Sequence, residues 1–598
     1  MLRFLQQVIA SLIGTLAALL ILSTMGLGLF TLLIVAALSQ EESPRLRNQS
    51  MLVFDLSLEI RDTEPILRFS ESFGSGSPRA IALRRVIQNL EKAAQDDRIV
   101  GLLLDGSNGS PTAGYATLKE VRAALEQFKE SGKTIMAYDV NMGKKGYYLA
   151  SLADRLILNP MGVLELNGLS SEQFFLAGAL DQLGIGVQVV RVGDYKSAVE
   201  PLIQEELSPE NRQQISQLLQ EIWGEYLTVV SAGRELSVSQ VETAANEQGI
   251  LLPEAALAAN LIDEVAHYDE VMGEIKELTG QDSTTRNFRQ VSLSNYTTMA
   301  VEAAARKPSQ NKVAVVYAEG PIVYGRGGER QISSDRLVRQ LRTIRHSDEV
   351  KALVLRVNSP GGSATASDII LRELQLLAEE KPVVVSMGDV AASGGYWIAT
   401  GADYIFAQPN TITGSIGVFG VIPNVEEISS NNGITWDGVK TSPFADIESI
   451  SRPKNEAELA LLQNFVNQIY DLFLEKVANS RDLSPSAVAE VAQGRIWSGI
   501  AAQNLGLVDE LGGLENAIAH AAEKAELGDD WEAEEYIEEP RLEDILFRRL
   551  VMIFQAETQS QDPITTELSR LHGELSVLTQ LNDPRDIYSH LLFDLRIR

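Results

Sequence analysis

The longest apolar stretch of the chain lies at its amino terminus. From Phe4 to Gln40 there is no charged residue, and most side chains are aliphatic. About 20 apolar residues span the hydrocarbon core of a bilayer, whereas the apolar region of a cleaved secretory signal has about 7–15. Residues 4–40 therefore predict one tilted transmembrane helix.

The rest of the chain alternates short aliphatic runs with stretches whose apolar residues recur every three or four positions. The runs predict buried strands and the periodic stretches predict helices, so the chain is an α/β protein. Strands are predicted at 99–104, 186–192, 312–317, 350–357 and 383–385, and helices at 116–129, 209–232, 238–247, 367–381 and 456–481.

Polar segments at 41–49 and 283–309 divide this pattern into parts. We predict a membrane anchor and linker (1–48), a first α/β unit (49–300), a second α/β unit (301–528) and a helical carboxyl-terminal extension (529–598). The extension is acidic at its start and then has helical periodicity at 542–554 and 565–581.

The two α/β units are copies of one another. The segment Gly146–Asp154 (GYYLASLAD) matches Gly395–Asp403 (GYWIATGAD) at a separation of 249 positions. Further on, Leu261–Glu264 matches Leu507–Glu510 at a separation of 246. Self-similarity at a nearly constant spacing is the sign of an internal repeat. The chain is therefore predicted to be a tandem duplication.

A candidate nucleophile lies where the second copy turns from a strand into a helix. Ser393 follows the strand at 383–385 and is surrounded by Ala392, Gly394 and Gly395. Small neighbours expose a serine, and a helix amino terminus offers free N–H groups to a developing oxyanion. Such turns are common, so the stretch alone does not establish catalysis. The first copy has Lys144 at this position.

A serine nucleophile needs a base, and the repeat suggests a lysine. The first copy has Lys196 where the second has Ala445, so each copy keeps one member of a Ser–Lys pair. A lysine is a base only when burial keeps it neutral. We infer that both copies complete one dyad of Lys196 and Ser393; the alternative is a solvated loop lysine. The five histidines, which we interpret as surface or helix-packing residues, are His267, His346, His520, His572 and His590.

Composition excludes several other classes of protein. The net charge of −30 argues against a nucleic-acid-binding surface, and the lack of cysteine excludes disulfides and thiolate catalysis. No histidine pair has metal-ligand spacing, so we expect no metal and no cofactor. The stretch Asn358–Gly362 (NSPGG) offers backbone N–H groups beside a place for a carbonyl oxygen, but lacks the phosphate-loop pattern.

These residues resemble the signal peptide peptidase A family, also called protease IV, in its long two-copy form. The resemblance covers about Met51 to Leu527, and its motifs are GDYKSA (193–198), NSPGG (358–362), ASGGY (392–396), TGSIG (413–417) and GRIWSG (494–499). The family has the caseinolytic-protease/crotonase superfold. The resemblance implies that Ser393 is the nucleophile, Lys196 the general base and Ser415 the group that orients the lysine. Backbone N–H groups of Gly394 and of Gly361 or Gly362 would form the oxyanion hole.

The resemblance also implies a class of substrate, an oligomeric state and a location at the membrane. The family degrades hydrophobic peptides, such as cleaved signal peptides, and assembles as a ring-like homotetramer. We expect a single-pass membrane protein with an extracytoplasmic catalytic body, although the few flanking charges hardly discriminate its orientation. The alternatives are a crotonase-like acyl-coenzyme A enzyme and an inactive scaffold of the same fold.

Overall fold

The computed structural model describes residues 46–63, 80–282, 284–299, 309–328, 330–536 and 582–591, with the single positions 14, 22 and 597. Within these residues, no helix combines the length and the apolar character that a membrane span needs. The predicted membrane helix at 4–40, except positions 14 and 22, lies outside the described residues. So do the predicted helices at 542–554 and 565–581.

The first unit alternates strands and helices. Its strands are β1 (Ser50–Asp55), β2 (Glu59–Arg61), β3 (Ala80–Ala82), β4 (Ile99–Asp105), β5 (Thr134–Met142), β6 (Arg155–Glu165), β7 (Gly186–Arg191), β8 (Ile250–Leu251), β9 (Glu264–Val265) and β10 (Gln290–Ser292). Its helices are α1 (Leu83–Gln95), α2 (Tyr115–Glu130), α3 (Lys144–Ala150), α4 (Ala177–Gln182), α5 (Glu200–Ile203), α6 (Pro209–Gly233), α7 (Val238–Glu247), α8 (Pro253–Ala258), α9 (Tyr268–Leu278) and α10 (Leu293–Met299).

The second unit repeats this alternation. Its strands are β11 (Lys312–Glu319), β12 (Ile322–Val323), β13 (Ile332–Ser333), β14 (Val350–Ser359), β15 (Gly361–Ser363), β16 (Val383–Ala392), β17 (Tyr404–Ala407), β18 (Ile412–Gly414), β19 (Phe419–Asn424), β20 (Ile496–Ser498), β21 (Glu510–Leu511) and β22 (Glu532–Glu535). Its helices are α11 (Ser334–Arg345), α12 (Ala364–Ala378), α13 (Gly394–Ala399), α14 (Glu426–Asn431), α15 (Glu456–Arg481), α16 (Pro485–Val491), α17 (Gly499–Asn504) and α18 (Leu514–Lys524). A last strand, β23 (Ile587–His590), follows.

Each unit has its own largely parallel sheet. The first is ordered β10-β1-β4-β5-β6-β8, with β9 on β6, and the second is ordered β20-β18-β16-β14-β11-β22, with β17 on β16 and β21 on β17. Central strands such as Val383–Ala392 are nearly continuous runs of buried residues, as expected when helices cover both faces of a parallel sheet. The duplication is confirmed, because β1, β4, β5 and β10 occupy the same places as β11, β14, β16 and β22.

A third sheet joins the two units. Its order is β13-β12-β15-β23-β19-β7, so β7 of the first unit pairs antiparallel with β19 of the second. A buried ion cluster also connects the units: Arg356 of the second unit lies 2.8 Å from Asp62 and 2.7 Å from Glu120 of the first. The two copies therefore form one packed body around their shared interface.

The carboxyl-terminal extension differs from the helical prediction in its described residues. Glu532–Glu535 is a strand that pairs with Lys312–Glu319 and completes the second sheet, so this unit continues past residue 528. Ile587–His590 is a second strand. The acidic run 532–535 favours no strand by itself; pairing with the neighbouring strand overrides its local preference.

Candidate active site

Ser393 lies at the strand-to-helix turn between β16 and α13. Its backbone has φ 58° and ψ −114°, a strained conformation for a residue with a side chain. The turn is held by the Ser393 N–H, which donates to the Gly414 carbonyl at 2.8 Å. Small neighbours are required, since a Cβ on Gly395 would lie 2.7 Å from the Ser359 carbonyl oxygen. Strain of this kind is typical of functional sites.

Lys196 reaches this turn from the first unit. The pairing of β7 with β19 places Arg191 opposite Phe419, and the following loop carries the lysine into the second unit. Two contacts fix that loop: the Tyr195 N–H donates to the Gln493 carbonyl at 3.0 Å, and Gly494 packs on the lysine. A Cβ on Gly494 would lie 2.5 Å from the Lys196 Cβ, so the close approach requires glycine.

Three of the residues predicted from the sequence meet in one buried cluster. The Lys196 Nζ lies 2.7 Å from the Ser393 Oγ, 3.0 Å from the Ser415 Oγ and 3.0 Å from the Ser415 carbonyl oxygen. Lys196, Ser393 and Ser415 expose 1%, 0% and 1% of their surface. A lysine this deeply buried is not the solvated loop residue of the alternative interpretation.

The lysine environment favours the neutral amine. Burial lowers the pKa of Lys196 from the usual 10.5 to about 7. A neutral amine has two N–H donors and one lone pair. The Ser415 carbonyl and hydroxyl oxygens can accept the two N–H bonds, which leaves the lone pair for the Ser393 hydroxyl proton. The cluster therefore has the hydrogen-bonding capacity that a serine nucleophile and a neutral base require.

The predicted oxyanion glycines lie together beside Ser393. A Cβ on Gly361 would lie 2.6 Å from the Gly394 nitrogen, so the two glycines face each other. The Gly361 N–H donates to the Ser359 Oγ at 3.1 Å and is thus already used. The N–H groups of Gly394, in the first turn of α13, and of Gly362 are the better candidates.

The equivalent turn in the first copy has no such cluster. Lys144, which aligns with Ser393, is the first residue of α3. Its Nζ contacts the Asn167 Oδ1 at an exposed position. The described residues also contain no group of histidine, aspartate or glutamate side chains that could hold a metal ion.

The sequence interpretation missed one element of this site, the strand β23. The Ser589 Oγ lies 2.7 Å from the Ser393 Oγ, and the neighbouring His590 exposes only 4% of its surface. His590 is therefore not a surface residue, which corrects that part of the prediction. The local sequence signal for β23 is the β-branched and aromatic pair Ile587-Tyr588 after a polar, proline-containing turn. This signal indicates a short strand but does not identify the strand with which it pairs.

Comparison with known proteins identifies the family. The model of peptidase family S49 matches residues 127–282 and 375–528, one segment in each copy, and the Clp protease model matches residues 305–413. The chain is 35% identical to Protease 4 of Salmonella typhi, over 88% of the chain and 86% of the relative. It is 34% identical to Protease 4 of Haemophilus influenzae, over 94% of the chain and 95% of the relative.

A plant protein is also similar. The chain is 34% identical to the chloroplastic serine protease SPPA of Arabidopsis thaliana, over 81% of the chain and 70% of the relative. The segments matched by the family model include Lys196, Ser393 and Ser415. This chain therefore belongs to peptidase family S49 and is a serine protease with the Clp-protease-like α/β fold in two copies.

Proposed function

We propose that the protein is an endopeptidase in which Ser393 is the nucleophile and Lys196 the general base. The observation that carries this proposal is the 2.7 Å contact between the Lys196 Nζ and the Ser393 Oγ at a buried site. Serine and base within hydrogen-bond reach, with a third group that orients the base, are the arrangement that activates a weak nucleophile. Ser415 is that third group.

The reaction follows from the hydrogen bonds. The neutral Lys196 amine takes the Ser393 hydroxyl proton as the Oγ attacks the peptide carbonyl, and the oxyanion is stabilised by the N–H groups of Gly394 and Gly362. The resulting ammonium gives its proton to the leaving amine. A water molecule, deprotonated by the same lysine, then attacks the carbonyl of the acyl-enzyme ester. The ester C–Oγ bond breaks, the lysine returns the proton to the Ser393 Oγ, and the acid product is released.

Labelling with a fluorophosphonate probe tests the nucleophile. We expect covalent labelling of the full chain and none of Ser393→Ala. Lys196→Ala should label at least about 100-fold more slowly, the usual contribution of a positioned base. Equal labelling of Ser393→Ala and the parent chain would contradict the assignment of Ser393. An acyl-coenzyme A enzyme of the same fold needs no such serine, and the protease relatives do not favour it.

We propose hydrophobic peptides, including cleaved signal peptides, as substrates of a membrane-anchored body. The motif resemblance supports the substrate class and a homotetramer, and the charge-free residues 4–40 support a single-pass anchor in the bilayer. We further propose that the catalytic body is extracytoplasmic. Removal of residues 1–48 should release an active oligomer from membranes, which fractionation and sedimentation would show. An inactive or monomeric product would count against this organisation.

A further inference from the structure

One buried amide of the first unit contacts both units beside the catalytic cluster. Gln214, on α6, exposes 2% of its surface. Its Nε2 lies 3.2 Å from the Tyr195 carbonyl oxygen and 3.1 Å from the Ser197 Oγ. Its Oε1 accepts a hydrogen bond from the Ile496 N–H of the second unit at 3.1 Å. A buried amide needs hydrogen-bond partners, and Gln214 finds them on both sides of the interface between the units.

The atoms that this amide contacts belong to the two segments that set the geometry of the site. The contacts of its Nε2 are with the two neighbours of Lys196 in the chain. The contact of its Oε1, Ile496, lies opposite Gly414 in the antiparallel pair of β18 and β20. The next residue, Ser415, donates its N–H to the Arg495 carbonyl at 2.7 Å. The amide therefore connects the loop that carries the lysine with the strand that fixes Ser415.

The other end of the lysine loop is held by the same helix. Glu200 exposes 0% of its surface and accepts hydrogen bonds from the Ser208 Oγ at 2.6 Å and the Asn211 Nδ2 at 2.8 Å. The Asn211 Oδ1 in turn lies 3.0 Å from the Gln214 Nε2. Buried polar networks whose members are satisfied make the parts that they connect more rigid. Both ends of the segment 195–200 are thus tied to the start of α6.

The second copy lacks the corresponding amide. Its helix α15 aligns with α6 at a separation of 247 positions, because RELS (234–237) matches RDLS (481–484). The residue that corresponds to Gln214 is Leu461, whose side chain cannot form these hydrogen bonds. The same copy has Ala445 in place of the lysine. The amide is therefore present in the copy that supplies the base and absent from the copy that does not.

We propose that Gln214 is a positioning residue, which acts through the segment 195–200 to hold the Lys196 Nζ within reach of Ser393 and Ser415. The inference rests on the proposed function, since it takes Lys196 as the general base. Gln214 contacts the residues on either side of the lysine, so its effect on the reaction is indirect. Proton transfer needs the base at hydrogen-bond distance, and a displacement of about 1 Å can lower a rate about 100-fold.

The first test removes the amide and keeps the length of the side chain. Gln214→Met is compared, in the full-length protein, with the control Gln220→Met at an exposed position of the same helix. We expect Gln214→Met to lower kcat for a hydrophobic peptide roughly 10- to 100-fold, with KM nearly unchanged. The rate of fluorophosphonate labelling of Ser393 should fall by a similar factor. Gln220→Met should match the parent chain in both measurements.

The second test asks whether Gln214 acts through the lysine. In the Lys196→Ala background, Gln214→Met should cause no further loss of the residual activity, because the base that it positions is already absent. A residue that only stabilises the fold would lower activity by the same factor in both backgrounds. That result, with circular dichroism and thermal melting to measure the folded fraction, would overturn the positioning role.

A further variant leaves the helix intact in case Gln214→Met does not fold. Ser197→Ala removes one of the two loop contacts of the amide. A typical hydrogen bond contributes about 1 kcal/mol, so we expect kcat to fall roughly threefold to tenfold. Parent-like kcat in Ser197→Ala and in folded Gln214→Met, with Lys196→Ala inactive, would overturn the role of Gln214 alone. Full activity of Lys196→Ala would instead overturn the proposed base.

Discussion

Lys196 and Ser393 are 197 positions apart in the chain, yet the lysine Nζ lies 2.7 Å from the serine Oγ. They come from different copies of one repeated unit, and the antiparallel pair of β7 and β19 brings them together. Each copy supplies one member of the pair. The duplication has therefore produced one site at the interface of two units.

Loss of either residue should have the same consequence as loss of both. We expect Ser393→Ala and Lys196→Ala each to reduce kcat/KM by at least about 1,000-fold, because neither group can act without the other. The double variant should be no slower than the slower single variant. Steady-state kinetics on a hydrophobic peptide measure this, with circular dichroism to show that each variant folds. Multiplication of the two effects in the double variant would show that the residues act independently.

Ser415 should matter less than the pair that it supports. Ser415→Ala removes the hydroxyl that contacts the Lys196 Nζ but keeps the Ser415 carbonyl contact. We expect kcat to fall roughly 10- to 100-fold, the range of a lost positioning group, with KM nearly unchanged. Ser415→Thr, which retains the hydroxyl, should recover part of the rate. A rate equal to that of the parent chain would show that this hydroxyl has no catalytic role and leave Ser415 a structural residue only.

The packing of Gly494 on Lys196 can be separated from the effect of its backbone conformation. Gly494 and Gly506 both have φ +75°, but a Cβ on Gly506 meets only Leu483, at 3.8 Å. Both changes to alanine impose backbone strain, of about 1 kcal/mol. Only Gly494→Ala should displace the lysine, and it should lower kcat/KM at least about 100-fold. Similar activity of Gly494→Ala and Gly506→Ala would contradict a positioning role for Gly494.

Much of this site could be predicted from sequence because the identities of a few residues indicate it. Alignment of the two copies shows a serine in one and a lysine in the other, and the glycine-rich turn indicates that the serine lies between a strand and a helix. One boundary differs from the prediction: the helix expected at 367–381 is Ala364–Ala378, because the Ser363 side chain accepts a hydrogen bond from the Ala366 N–H. Capping of this kind is local, but many serines never cap a helix.

The strand Ile587–His590 could not have been placed in this way. Its partners, Gly361–Ser363 and Phe419–Asn424, lie far away in the chain, and four residues carry too little pattern to select them. The acidic and periodic surroundings of the strand indicate a helical tail. Tertiary pairing decided the conformation, and only the structure could reveal that the tail returns to the serine.

The buried ion cluster should be important for stability. Arg356→Ala would leave the carboxylates of Asp62 and Glu120 buried without their partner. Breaking a buried pair from one side costs about 3–5 kcal/mol, so we expect a clear loss of thermal stability. The control is Arg61→Ala, whose partner Glu59 is largely exposed and whose effect should stay below about 1 kcal/mol. Equal melting temperatures for the two variants would contradict a structural role for the cluster.

The pH dependence of kcat/KM tests the assignment of Lys196 as the base most directly. Burial lowers the pKa of Lys196 to about 7, and only the neutral amine can accept the serine proton. Activity on a hydrophobic peptide should therefore rise through a single ionisation near pH 7 and stay high to about pH 9. The residual activity of Lys196→Ala should lack that ionisation. A parent profile that is flat from about pH 5 to 9, or a step near pH 7 that persists in Lys196→Ala, would contradict the Ser–Lys dyad.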